Sequence, residues 1–248
     1  MITSRQNDWF QRVRNAIRDH ADEIVIEGPK AVADAMAGGW TPIAVIRNAG
    51  FQPAGEAASS RLRGEGTVAH DFSPALFDQL SETKTAQGVL ALFERPRTTA
   101  AELFARRGKL VVALDGVQDP GNVGTIVRLA AAFDAAGVAL LPGCADPFGP
   151  KAIRSSAGAI LTVPVASLTP DHLLACGLPL FAAAGDGQTI DPPARDAVLI
   201  FGNEGAGVSP ELRAQATPIA VATSGRVESL NVAASAAILL SRAYGLRK

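Results

Sequence analysis

The sequence predicts an α/β protein in two parts, a small α/β sandwich followed by a larger domain built on a mostly parallel sheet. From Gly108 onward, short apolar runs alternate regularly with helical segments, the pattern of strand–helix–strand units. Residues 95–107 open on Arg95, Pro96, Arg97, Thr98 and Thr99, a linker composition. In the second part, apolar runs stop abruptly at small or polar residues and then enter helices, which is how a parallel sheet presents backbone amides to a small polar ligand. The expected units are 1–94, a linker over 95–107, and 108–248.

In the first unit, Phe10, Val13 and Ile17 recur at helical spacing, with Arg14 and Arg18 one turn apart on a flank. Residues 24–26 read as a strand and 31–36 as a helix closing at Gly38 and Gly39. Residues 42–47 are a further strand, and 50–66 a Gly/Ala/Ser-rich stretch that includes a loop. Residues 68–69 and 88–93 are strand candidates, with Ser73 capping a helix that begins at Pro74.

In the second unit, 109–114 reads as a strand and 123–133 as a helix ending near Gly137, with Asn122 able to cap it. Residues 138–141 are a strand, 151–159 a helix, 178–183 a strand and 197–201 a strand. A helix follows Ser209 as cap and Pro210 as first residue. Residues 218–222 are a strand, and 230–244 the last helix, with Ser229 and Asn231 at its start. Helices on both faces of such a sheet leave ligands to bind beyond the carboxyl ends of its strands.

Composition narrows the classes. With 48% hydrophobic and 19% charged residues, the chain can bury a substantial core. The amino-terminal stretch is polar, and the apolar region 230–240 is broken by Asn231 and Ser235, too short to span a bilayer. A soluble, cytoplasmic protein is expected. Cys144 and Cys176 lack metal or disulfide spacing and read as buried small hydrophobes in a reducing compartment. The net charge of −1 offers no global field for nucleic acid, so any RNA contact must come from local basic patches. His20, His70 and His172 are scattered, so neither a metal nor a histidine-based nucleophile is expected.

Four constellations remain. Asn122 and Arg128 lie in the turn and helix after the first strand of the second unit. They read either as a cap and a solvated arginine, or as a donor fork facing the ligand crevice. Gly202, Asn203, Glu204, Gly205, Ala206 and Gly207 follow an apolar strand directly. They read either as an ordinary Gly-rich turn or as glycines that let backbone approach a ligand, where Glu204 suits a cationic ligand or hydroxyls better than a phosphate. This loop is neither a dinucleotide fingerprint nor a phosphate loop. Ser229, Leu230 and Asn231 open the final helix and read either as simple caps around a core leucine or as part of the ligand site. Lys151 and Arg154, one helical turn apart, form either a phosphate-contact ridge or a solvated face.

Taken jointly, Asn122-x-Gly124-x-x-x-Arg128, Phe201-Gly202-Asn203-Glu204-Gly205 and Glu228-Ser229-Leu230-Asn231-Val232-Ala233 resemble the three motifs of the SpoU (TrmH-type) RNA methyltransferases of the SPOUT superfamily. The match runs from about Gly108 to the C-terminus. More loosely, Ile2, Thr3, Ser4, Asn7, Ile26, Glu27 and Gly28 resemble a ribosomal-protein-like substrate-binding domain often fused ahead of it. The resemblance implies S-adenosyl-L-methionine as cofactor, a ribose 2′-hydroxyl of ribosomal or transfer RNA as acceptor, a homodimer, no metal, and a deep trefoil knot. It places Gly202, Val221, Leu230, Ala183 and Ala184 at the cofactor. It assigns Arg128 to the acceptor alcohol, with Asn122, Glu204, Ser229 and Asn231 positioning ribose and cofactor. Arg5, Arg12, Arg14 and Arg18 are candidate RNA contacts, with Lys151 and Arg154. One departure stands out: Val221-Ala222 replaces the usual Ile-Pro, which frees a locked backbone angle beside the cofactor.

A non-catalytic RNA-binding or assembly factor that keeps the fold is the alternative reading, against which the intact motif residues argue. A nucleotide-dependent oxidoreductase would need the missing dinucleotide fingerprint.

Overall fold

The computed structural model describes residues 1–51, 67–81 and 87–247. Most of the Gly/Ala/Ser-rich stretch expected over 50–66 therefore lies outside the described residues. Two compact units emerge, one of residues 1–96 with 148–150, the other of 97–147 with 151–248.

The first unit begins with α1 (Asp8–Arg18), whose cap is Asn7, its side chain accepting from the Trp9 amide. Phe10, Val13 and Ala16 are its buried face. Then come β1 (Glu23–Glu27), α2 (Pro29–Ala37), β2 (Pro42–Asn48), β3 (Val68–Phe72), α3 (Pro74–Phe77) and β4 (Val89–Glu94). The sheet order is β1-β4-β2-β3. β4 lies between β1 and β2 and pairs antiparallel with each, while β2 and β3 run parallel. That central place explains why Val89 to Phe93 are all buried. β3 is longer than its two apolar residues suggested, because five residues of it pair with β2. Ser73 does not cap α3 through its hydroxyl; its carbonyl accepts from the Leu76 and Phe77 amides instead.

The second unit opens with α4 (Ala100–Phe104), held by a capping box between Thr99 and Glu102. The chain continues through β5 (Leu110–Asp115), α5 (Pro120–Ala132), β6 (Gly137–Leu140), α6 (Pro150–Ser156), β7 (Val165–Ser167), α7 (Pro170–Leu174), β8 (Leu180–Gln188), β9 (Ala197–Gly202), α8 (Pro210–Gln215), β10 (Thr217–Ile219) and α9 (Val232–Gly245). All six strands are parallel, in the order β10-β8-β9-β5-β6-β7. The unbroken apolar runs of β5 and β9 follow from their central places, with all six residues of β9 buried.

Several boundaries differ from expectation. α6 stops at Ser156, because Ala157 and Gly158 take left-handed angles of 50° and 88°. β7 and α7 were not anticipated; both are short. β8 runs on to Gln188, where Ile219 pairs with it across an irregularity. α5 starts at Pro120 with Asp119 as its cap, the Asp119 carboxylate accepting from the Gly121 amide. Asn122 is therefore inside the first turn rather than the cap. The last helix starts at Val232, two residues later than Leu230, because the Asn231 side chain accepts from the Ala233 and Ala234 amides. Cys144 and Cys176 are free and half-buried rather than fully buried. The Cys144 thiol donates to the Leu114 carbonyl at 3.2 Å, and burial pushes its pKa up.

Candidate active site

A cleft of about 400 Å³ opens beyond the carboxyl ends of β8 and β9. Its walls come mainly from three stretches, Ala183, Ala184 and Gly185 of β8, the loop from Gly202 to Val208, and Val221 with Glu228 to Val232, and Arg213 of α8 lines it as well. The five expected cofactor residues, Ala183, Ala184, Gly202, Val221 and Leu230, all line it, as do Glu204, Ser229 and Asn231. At Gly202 a Cβ would come within 2.1 Å of the Gly207 carbonyl carbon and the Val208 nitrogen. Only glycine lets the loop fold back this closely.

Asn203, quoted in the motif but assigned no role, organises that loop. Its Oδ1 accepts from the Gly205 and Ala206 amides at 2.9 Å, and its Nδ2 donates to the Gly116 carbonyl at 2.9 Å. An Asn two residues before a Gly is a turn signal that could have revealed this. Asp115, at the end of β5, accepts from the Ser209 amide at 2.7 Å and anchors the far side of the loop. The Ser209 hydroxyl, expected to cap α8, makes no cap hydrogen bond.

Glu204 is turned toward the start of α5. Its Oε1 accepts from Asn122 Nδ2 at 2.9 Å and from the Asp119 amide at 3.2 Å, and its Oε2 from the Gln118 amide at 3.2 Å. Burial pushes its carboxyl up, but the hydrogen bonds from Asn122 and from backbone amides outweigh it, and the net pKa is lowered. Asn122 Oδ1 accepts in turn from Asn231 Nδ2 at 3.2 Å. Glu204, Asn122 and Asn231 thus link the three motif loops in one chain of hydrogen bonds.

Arg128 is not brought into this cleft. It is exposed on α5, six residues beyond Asn122, while Val123, Gly124, Ile126, Val127 and Ala130 of that helix are buried. Lys151 pairs with Asp119 at 2.7 Å, which, with the Gly121 amide, lowers the Asp119 pKa. Arg154 is exposed three residues further along α6. In the first unit, Arg12 pairs with Glu23 and lies over the Trp9 ring, whereas Arg14 reaches Gln11 and lies over Phe10. Helical geometry puts Arg14 and Arg18 on one flank and Arg12 on another. Arg5 is exposed ahead of α1.

Among the described residues, no group of three His, Cys, Asp or Glu could hold a metal ion, and no helix is long and apolar enough to cross a membrane.

A parallel sheet with a part-apolar cleft at its carboxyl edge, walled by close-approach backbone and amide side chains, defines an α/β enzyme for a nucleotide-like ligand. Residues 109–241 match the SpoU rRNA Methylase family, and residues 12–91 match the MRM3-like substrate binding domain. The chain belongs to the SpoU rRNA methylase family. It is 32% identical to an uncharacterized tRNA/rRNA methyltransferase of Synechocystis sp., over 98% of this chain and 92% of that one. It is 36% identical to the 23S rRNA (guanosine(2553)-2′-O)-methyltransferase RlmP of Bacillus subtilis, over 73% of each chain. The crystal structure of an AdoMet-bound rRNA methyltransferase from Sinorhizobium meliloti is similar with a TM-score of 0.86 and 28% identity, covering 99% of this chain and 97% of that one.

Proposed function

We propose that this chain transfers the methyl group of S-adenosylmethionine to a ribose 2′-hydroxyl of ribosomal RNA, as a cytoplasmic homodimer. The observation that carries this reading is the meeting of Ala183, Gly202, Val221 and Leu230 in one cleft, with Glu204, Asn122 and Asn231 linked at its edge. The family match and the 2′-O-methylating relatives point the same way.

The cleft suits this cofactor. Its volume of about 400 Å³ lies in the range of pockets that enclose small ligands. Ala183, Val221 and Leu230 supply apolar wall for an adenine, and the backbone beside Gly202 offers polar groups at close range. Glu204 and Glu228 set negative charge beside a cationic ligand. When bound, S-adenosylmethionine supplies a methyl group already activated by its sulfonium.

The rest falls to the chain's own residues. Asn122, Glu204 and Asn231 hold the three loops in register, and Ser229 lies ready to orient the acceptor sugar. Arg128 offers charge and a donor fork rather than a base. Its part is to bind the phosphate next to the acceptor ribose and to stabilise the negative charge that builds on the 2′-oxygen as the hydroxyl proton passes to water. Since α5 holds Arg128 outside its own chain's cleft, we assign it to the cleft of a second copy. Residues 1–94 serve as the RNA substrate-binding domain through Arg5, Arg14 and Arg18, with Arg12 engaged on Glu23; within the expected linker 95–107, α4 packs into the core of the second unit through Leu103. Lys151 and Arg154 flank the acceptor strand. The trefoil knot implied by the resemblance belongs to the same reading.

The test is to incubate the protein with labelled S-adenosylmethionine and ribosomal RNA from cells lacking the gene, then to map ribose methylation. One nucleotide should gain a 2′-O-methyl. Normal cofactor binding with no methylated ribose in ribosomal or transfer RNA would mark a non-catalytic RNA-binding factor instead.

A further inference from the structure

Among the described residues that line the cleft there are two carboxylates, Glu204 and Glu228, and one cation, Arg213. None of the sequence motifs includes Arg213. It stands in the last turn of α8, and its Nη2 donates to both oxygens of Asp186, at 2.6 and 2.5 Å. Asp186 follows Gly185, which itself lines the cleft. Nε and Nη1 of the guanidinium have no acceptor among the described residues. The two side chains are 42% and 69% exposed, so as an ion pair they contribute little to stability. What the pairing does is hold the guanidinium by one nitrogen and leave other donors free.

We propose that Arg213 binds the carboxylate of the methionine part of S-adenosylmethionine, with Asp186 as the positioning residue that sets its orientation. This rests on the cofactor reading above. The cofactor carries two cationic centres, sulfonium and ammonium, and one carboxylate. The cleft lining carries the complementary set, two carboxylates and one guanidinium. A guanidinium offers a planar donor fork that matches a carboxylate in two parallel hydrogen bonds. An RNA phosphate is the other anion that such a fork takes, so the test is run first without RNA.

The experiment is calorimetric titration of the full-length protein with S-adenosylmethionine and with its decarboxylated analogue. Wild type, Arg213→Gln and Asp186→Asn are compared, with thermal unfolding confirming that each variant is folded. Wild type should prefer the carboxylated ligand by about tenfold or more, the usual range for a charge-assisted hydrogen bond. Arg213→Gln should abolish that preference by weakening only the carboxylated ligand, and Asp186→Asn should reduce it in part. Equal weakening of both ligands by Arg213→Gln, or no preference in wild type, would overturn the assignment. So would an intact preference in Arg213→Gln alongside weakened RNA binding, which would give the guanidinium to phosphate. A wild type that binds neither ligand would instead overturn the cofactor reading from which this inference starts.

Discussion

A carboxylate within a glycine-rich loop is out of place beside a phosphate, and Glu204 shows where its charge goes. It accepts from two backbone amides at the start of α5 and from Asn122, groups that favour the ionised form. Because its pKa is lowered by folding, the stabilisation it brings is present above the ordinary carboxylate range and lost as pH falls through the folded value. The urea midpoint of wild type should therefore fall further between pH 7 and about pH 3 than that of Glu204→Gln. Parallel falls would show that the carboxylate contributes nothing. Gly202 makes a second prediction. An added methyl meets backbone at 2.1 Å, which no rotamer change relieves. Gly202→Ala should cost about 1–3 kcal/mol by denaturant unfolding. It should also weaken S-adenosylmethionine binding in calorimetry more than tenfold, about 1.4 kcal/mol or more. The importance of Gly202 was legible from its place after an apolar strand. The partners of Glu204 were not, since Gln118 and Asp119 lie more than eighty residues away in the chain.

The last helix of the second unit begins with a polar residue that serves the cleft as well as the helix. Asn231 caps α9 through Oδ1 and reaches Asn122 through Nδ2. The two roles separate by substitution. Asn231→Ala should cost about 1 kcal/mol of stability, the usual effect of losing a cap. Asn231→Ser should keep most of that stability but still lose methylation activity, because serine caps and lacks the reach to Asn122. If Asn231→Ser proved as active as wild type, the residue would be a cap alone. The order of strands and helices was legible because buried parallel strands read as unbroken apolar runs. Ends were less so. Asp119 displaced Asn122 as the cap of α5 because Pro120 favours the first helical position, which puts the cap one residue before it. β7, at three residues on the sheet edge, and the extension of β8 past Ala183 had too few apolar residues to signal themselves.

For the molecule as a whole, the proposed dimer makes a sharp prediction about Arg128. Arg128→Ala and Gly202→Ala should each be inactive alone. If Arg128 serves the opposite cleft, co-expressing the two variants creates mixed dimers with one complete site each. About a quarter of wild-type activity should return, given random pairing of copies in a symmetric dimer. No recovery, in mixtures shown to contain mixed dimers, would return Arg128 to its own chain's cleft. The basic residues of the first unit follow a similar logic at the level of surface. Sequence named Arg5, Arg12, Arg14 and Arg18 as candidate RNA contacts; of these, Arg12 pairs with Glu23 and lies on a different flank of α1 from Arg14 and Arg18.

The alternation of buried runs and capped helices, together with three short motifs, was enough to name the α/β class and the family, and the motifs include several residues that line the cleft. These features are local: each depends on the burial pattern or turn chemistry of a few adjacent residues. Other properties depend on groups far apart in the chain, and no periodicity encodes them. They include the Glu204–Asn122–Asn231 link, the anchoring of the loop by Asp115, the entry of Arg213 into the cleft beside Asp186, and the exclusion of Arg128 from it. Hydrogen bonds and ion pairs need ångström-level proximity, and for residues tens of positions apart that proximity exists only once the sheet has ordered its strands.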